Sequence, residues 1–206
     1  MADVAVALRT LRQLAKAPIG KPTEHCSLCA EPIADRHDHL LEIESRQLDC
    51  VCRACALLFE SGEKRKRVPS RCTFLAGFEM TDAQWDSLRV PVGMAFFSVR
   101  SLTGQAAAVY PSPVGPTESL LSLDTWSEIV ESNPALEHMR TDVEALLVNR
   151  MRGRKDYYLV SIDECYRLVG VVRKYWRGLA GGPNVWEQVE LFFEELHQRA
   201  GEDPHA

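Results

Sequence analysis

Five of the seven cysteines fall within thirty residues, as Cys26-x-x-Cys29 and, after twenty intervening positions, Cys50-x-Cys52-x-x-Cys55. Two C-x-x-C pairs flanking a segment long enough for a hairpin can bring four sulfurs to about 2.3 Å of one cation in tetrahedral geometry. Cys26, Cys29, Cys52 and Cys55 form that set. Four thiolates saturate a tetrahedral ion and leave no position for a reactive water, the pattern of structural zinc. Iron in a rubredoxin-like electron-transfer site takes the same donors. Cys50 and His25 stand beside the set and are candidates for an additional ligand. Cys50 could also be a redox thiol or a small buried side chain, the commoner fate of a free cysteine. His37 and His39 lie between the pairs, but with four thiolates in place a fifth or sixth ligand is unnecessary. Cys72 and Cys165 are isolated. Cys165 falls just after an expected helix start, where a thiol pKa can drop, although core packing is the usual role.

The elements that must position these sulfurs follow from local patterning. His39-Leu40-Leu41-Glu42-Ile43 and Gln47-Leu48-Asp49-Cys50-Val51 read as two short strands joined at Glu44-Ser45-Arg46. The second cysteine pair runs into Ala56-Leu57-Leu58-Phe59-Glu60, which has helical character. Knuckle, hairpin, knuckle, helix is the order of a treble-clef zinc finger. A zinc ribbon, with both knuckles in hairpin turns, is the nearest alternative. Before the module, residues 1–22 read as an amphipathic helix, with Val4, Leu8, Leu11 and Ala15 on one face, and a linker containing Pro18, Gly20 and Pro22. The module itself spans 23–72 and ends in a basic, Pro-containing stretch read as a linker.

Residues 73–206 read as a larger α+β domain. Thr81-x-x-Gln84 is a capping box opening a short helix. Residues 93–100 and 105–110 form one expected hairpin, and 143–150 with 157–162 a second. Residues 111–116 hold three prolines and a glycine and read as irregular loop. Asp124 and Asn133-Pro134 each mark a helix start, Asp163 caps another helix, and Gly181-Gly182-Pro183 separates that helix from a final one ending near Arg199.

Composition narrows the function. Charged residues make up 26% and apolar residues 46% of the 206 positions, ordinary for a globular protein. No apolar run is long enough for a membrane span, and the first residues lack the layout of a secretory signal. An odd number of cysteines, grouped as C-x-x-C pairs, suits a metal in a reducing cytoplasm better than a disulfide framework. Residues 1–72 carry 12 Lys/Arg against 10 Asp/Glu, whereas residues 73–206 carry 12 against 19. The basic surplus sits mostly at Lys64–Arg67, too small a patch for a duplex binder, which counts against nucleic acid as a partner. No phosphate-binding loop, zincin helix or nucleophile elbow occurs, so the chain reads as non-enzymatic.

The sequence resembles a family of uncharacterised bacterial proteins frequently encoded beside nickel–iron hydrogenase genes. The resemblance rests on Glu24-His25-Cys26-Ser27-Leu28-Cys29, Cys50-Val51-Cys52-Arg53-Ala54-Cys55 continuing through Phe59, residues 92–97, Tyr110-Pro111-Ser112-Pro113 with Glu118, residues 145–150, Ile162-Asp163-Glu164-Cys165-Tyr166 and residues 176–182. It implies a cytoplasmic accessory role whose partners are hydrogenase subunits or maturation factors, and it implies no activity. Three functions follow as expectations: an accessory protein with structural zinc, a redox carrier with iron, and a regulator that binds nucleic acid through the knuckle. Tyr110, Glu118 and Arg150, polar groups at the ends of core-like segments, are the expected contacts for a protein partner.

Overall fold

The computed structural model describes residues 23–60, 63–119, 123–178 and 181–202. The helix expected over the first 22 residues lies outside them. Strands β1 (Asp38–Glu42) and β2 (Leu48–Val51) form an antiparallel hairpin, followed by helix α1 (Arg53–Phe59) and strand β3 (Arg65–Arg67). The small sheet has the order β2-β1-β3. Because side chains alternate along a strand, β1 serves two cores. Leu40 packs with Cys26, Val51, Cys55 and Ala56, while Leu41 on the opposite face joins the main core of the protein.

The basic stretch read as a linker is therefore β3, an edge strand. Its register places Arg67 opposite Leu40 and Lys66 opposite Leu41. Acidic neighbours explain why three consecutive cations tolerate a sheet. Arg67 contacts Asp38 at 2.7 Å, Lys66 contacts Asp142 at 2.7 Å, and Arg65 faces Asp49 at 3.5 Å. A charged edge of this kind also discourages pairing with a foreign strand.

The larger sheet comprises β4 (Cys72–Phe74), β5 (Met94–Val99), β6 (Ala106–Ser112), β7 (Gly115–Ser119), β8 (Glu144–Asn149), β9 (Asp156–Ser161) and β10 (Gly201–Glu202). Its order is β10-β4-β9-β8-β5-β6-β7, antiparallel throughout except between β10 and β4. Four helices among the described residues accompany it: α2 (Asp82–Ser87), α3 (Leu123–Ser132), α4 (Ile162–Tyr175) and α5 (Gly182–Arg199). Every residue of central strand β8 is buried, because both sheet faces are covered. Phe96, Leu147, Tyr158 and Val160 pack with residues of α4 and α5, including Leu168, Val172, Val189 and Phe193. Phe97, Leu146 and Leu159 pack on the other side with Trp126 and Ile129 of α3 and with Leu88.

The capping box at Thr81 forms as expected. Two local expectations change. Residues 111–116 are not irregular: β6 and β7 pair through them, Pro111 opposite Pro116 and Ser112 opposite Gly115. Pro116 lies on an edge strand and Pro111 beyond the last β5 partner, so neither missing N–H interrupts the ladder. Gly115 supplies the turn with φ 130°. Helix α4 starts at Ile162, with Ser161 rather than Asp163 at the N-cap position and no side-chain cap bond, whereas Asn133-Pro134 opens a helix as expected, the short 3-10 helix Pro134–His138.

Buried carboxylates of the larger domain hold the small module. Asp142, about 1% exposed, accepts from Arg46 Nη1 at 3.1 Å, Lys66 Nζ at 2.7 Å and the Ser101 amide at 3.0 Å. Burial pushes its pKa up, but the hydrogen bonds and charge of Lys66 and the Ser101 contacts outweigh that and hold it below the ordinary value. A carboxyl with a depressed folded pKa stabilises the protein fully above its unfolded value of about 4, and that contribution disappears as pH falls through the folded value. Asp142→Asn keeps the shape, and Asn tolerates the left-handed backbone at φ 72°. It leaves Arg46 and Lys66 short of a counter-charge. We expect it to lower unfolding free energy at neutral pH by about 3–5 kcal/mol, with a smaller deficit at pH 3. Urea unfolding at the two pH values checks this, and equal deficits would show that charge is not the cause.

Candidate metal centre

The first knuckle is a tight turn. The Cys26 amide donates to Glu31 O at 2.8 Å and the Ala30 amide to Cys26 O at 2.9 Å, with Ala30 in the left-handed region at φ 61°. His25 and Pro32 bridge below it. The Ser27 amide donates to Cys50 O at 2.8 Å, tying this knuckle to β2. The second pair sits at the start of α1. Cys52 is the N-cap, its sulfur accepting from the Cys55 amide at 3.5 Å. The Sγ atoms of Cys26, Cys29, Cys52 and Cys55 consequently lie within 4.8 Å of one another. Cys29 and Cys52 are separated by 3.7 Å, close to the roughly 3.8 Å edge of a tetrahedron with 2.3 Å metal–sulfur bonds.

The arrangement is a zinc-knuckle-like site able to hold one metal ion. Its thiols ionise unequally without one. For Cys26, burial acts upward, but backbone groups of Cys52, Leu28 and Cys29 bring the pKa down to about 6. Cys55 is pushed up to about 12, by burial first and then by neighbouring thiols. Four thiolates at these separations repel one another, and a cation removes that penalty. Cys26 and Cys55 are buried, Cys52 is half-buried and Cys29 is exposed.

The other candidates are placed apart from this cluster. His25 is solvent-exposed. Cys50 projects from the opposite face of β2, where it groups with His37 and His39, their ligand atoms also within 4.8 Å of one another. This second group was missed because four thiolates made the histidines look superfluous. Its signal is the H-x-H spacing at the head of a strand, which sends both rings to one face. The group lines a cleft of about 1720 Å³ between the small module and the larger domain, together with Arg71, Cys72 and Asp163. Cys165 is fully buried, and burial raises its pKa well above the ordinary value, the reverse of an activated helix-start thiol.

Among the expected partner contacts, Arg150 is tucked in, its side chain 7% exposed, pairing with Asp82 and lying 5.6 Å over the Trp85 ring. Glu118 pairs with Arg100. Tyr110 is half-buried on β6, packed against the α3-side core. The contacts of Arg150 include neither of the other two residues.

A family model described as a family of unknown function (DUF5947) matches residues 25–200. No curated protein and no solved structure matches the chain. No helix among the described residues is long and apolar enough to cross a membrane.

Metal binding at such a site is part of the module's folding energy. Cys29→Ser should lose the four-sulfur metal and release the packing of Leu40, Val51 and Ala56. Cys50→Ser should leave that metal in place. Metal analysis with hydrogen exchange across residues 24–60 reads both effects. Loss of four-sulfur metal in Cys50→Ser with retention in Cys52→Ser would reverse the ligand assignment.

Proposed function

This chain belongs to the DUF5947 family of unknown function, and from that premise we propose that it is a non-enzymatic accessory protein with structural zinc at the four-cysteine centre, assisting a nickel–iron hydrogenase in the cytoplasm. The observation that carries the accessory reading is the closed donor set: four sulfurs within 4.8 Å of one another occupy every position of a tetrahedral ion. Splitting them between a knuckle and a helix start suits zinc as a clamp between local elements. The hydrogenase assignment is supported by the family resemblance alone.

A protein partner is supported by two further features. Leu57, Leu58 and Phe59 of α1 are 48%, 74% and 43% exposed, a contiguous apolar stretch of the kind that marks interaction surfaces. Arg65, Lys66 and Arg67 are engaged by acids of the chain itself, which counts against phosphate binding by that run. Arg150, held by Asp82 and Trp85, is better placed to support the fold than to dock a partner.

Deleting the gene should lower hydrogenase activity with hydrogenase transcripts intact, since an accessory protein acts after synthesis. Complementation with Leu58→Asp, at wild-type protein levels, should restore activity only partly. Protein purified without added metal should be colourless and contain zinc. Unchanged activity in the deletion strain overturns the hydrogenase role, and a red, iron-containing protein favours the electron carrier. Falling transcripts with salt-sensitive promoter binding would favour the regulator.

A further inference from the structure

The face of the β1–β2 hairpin turned away from the four-cysteine cluster carries a second set of metal donors. His37 and His39, two residues apart at the head of β1, share that face, and Cys50 is the cross-strand partner of His39. A ring nitrogen of each histidine and the Cys50 sulfur lie within 4.8 Å of one another, and the two rings meet edge-on at 4.8 Å between centroids.

Hydrogen bonding settles which nitrogens are left to bind. His37 Nδ1 is 2.8 Å from the Ala34 carbonyl, an acceptor only, so Nδ1 carries the proton there. The Glu24 carboxylate lies 3.6 Å from the same atom. His39 Nδ1 is 3.0 Å from Asp163 Oδ2, contributed by α4 of the larger domain. Both Nδ1 positions are thus engaged, and in the neutral imidazoles each Nε2 keeps a free lone pair. His37 Nε2 is buried without a hydrogen-bond partner, in a side chain only 9% exposed. An imidazole serving as ordinary core has its buried nitrogens satisfied. A metal-ligating imidazole has one nitrogen held by a carbonyl or carboxylate and the other bare.

We propose that His37, His39 and Cys50 bind a second divalent transition ion of zinc type, in a three-donor site whose remaining coordination position faces the cleft. Two imidazoles and one thiolate suit zinc, cobalt or nickel, and exclude magnesium and calcium, which require oxygen. Three protein donors with a position open to a cleft are the pattern of a site whose ion can exchange, in contrast to the closed cluster on the other face. Asp163 acts as a positioning residue: its carboxylate orients His39 and so couples metal binding to the seating of the module on the larger domain. Binding at this second site depends neither on the accessory role nor on the identity of any partner.

The test is a cobalt titration of the full chain, stripped of metal under reducing conditions. Wild type should take two equivalents, with separate visible spectra for a four-sulfur and a two-nitrogen, one-sulfur environment. His39→Ala and Cys50→Ser should each take one equivalent and keep only the four-sulfur spectrum, which also shows that the module is folded. Asp163→Asn should retain both equivalents but bind the second about 10–100-fold more weakly. A single equivalent of four-sulfur type in wild type overturns the proposal, whether or not the variants fold. Two equivalents retained in both His39→Ala and Cys50→Ser overturn it equally. Absence of the four-sulfur spectrum alone would count against the closed centre and leave the second site standing.

Discussion

Four sulfurs brought within 4.8 Å of one another impose a constraint that propagates through the small module. To meet, the first knuckle must fold back on β2 through the Ser27–Cys50 backbone bond, and Cys52 must cap α1. Those requirements position β2 against β1, with Leu40 opposite Asp49 and His39 opposite Cys50. A register slip of one residue would exchange the two faces of the hairpin. Leu40 would leave the cysteine cluster, Leu41 would leave the main core, and the histidines would separate from Cys50. One hairpin therefore sets the order of a closed cluster on one side and of the cleft wall on the other.

Docking of the module uses the uneven charge of the chain. The larger domain offers buried carboxylates at Asp142 and Glu144 and a half-buried one at Asp163, and basic groups around the module approach them. Arg46 and Lys66 converge on Asp142, Arg71 reaches Glu144 at 3.2 Å, and His39 meets Asp163. Tyr166 adds a hydrogen bond to Arg46 O at 3.1 Å. Burying such charges is tolerable only when each is paired and hydrogen-bonded. Three acids of residues 73–206, Asp142, Glu144 and Asp163, thus face Arg46, Lys66, Arg71 and His39, whereas Arg65 and Arg67 are held by Asp49 and Asp38 beside them in the module.

The two sets of metal donors differ in the property that decides their chemistry. The four-sulfur group is anchored within the small module, in a core of its own with Leu40, Val51 and Ala56. The histidine–cysteine group borders the cleft and is oriented by a residue of the larger domain. A closed site serves folding, and a site shared between two bodies responds to how those bodies sit.

The sequence by itself determined what depends on short separations. The spacing of two C-x-x-C pairs is a requirement of chelate loops, so the four-sulfur set was legible at once. Short apolar runs on either side of a polar turn marked β1 and β2, and the Thr81–Gln84 box marked α2, because each is set by neighbouring residues. Residues 64–67 and 111–116 were misread where local composition suggested loop, since ladder partners and acidic counter-charges overrode it. Only the tertiary structure decided that His39 would meet Asp163, 124 positions away, and that Arg150 would be enclosed by Asp82 and Trp85. Such contacts arise from the packing of separate layers, and no local pattern encodes which distant carboxylate a given imidazole will face.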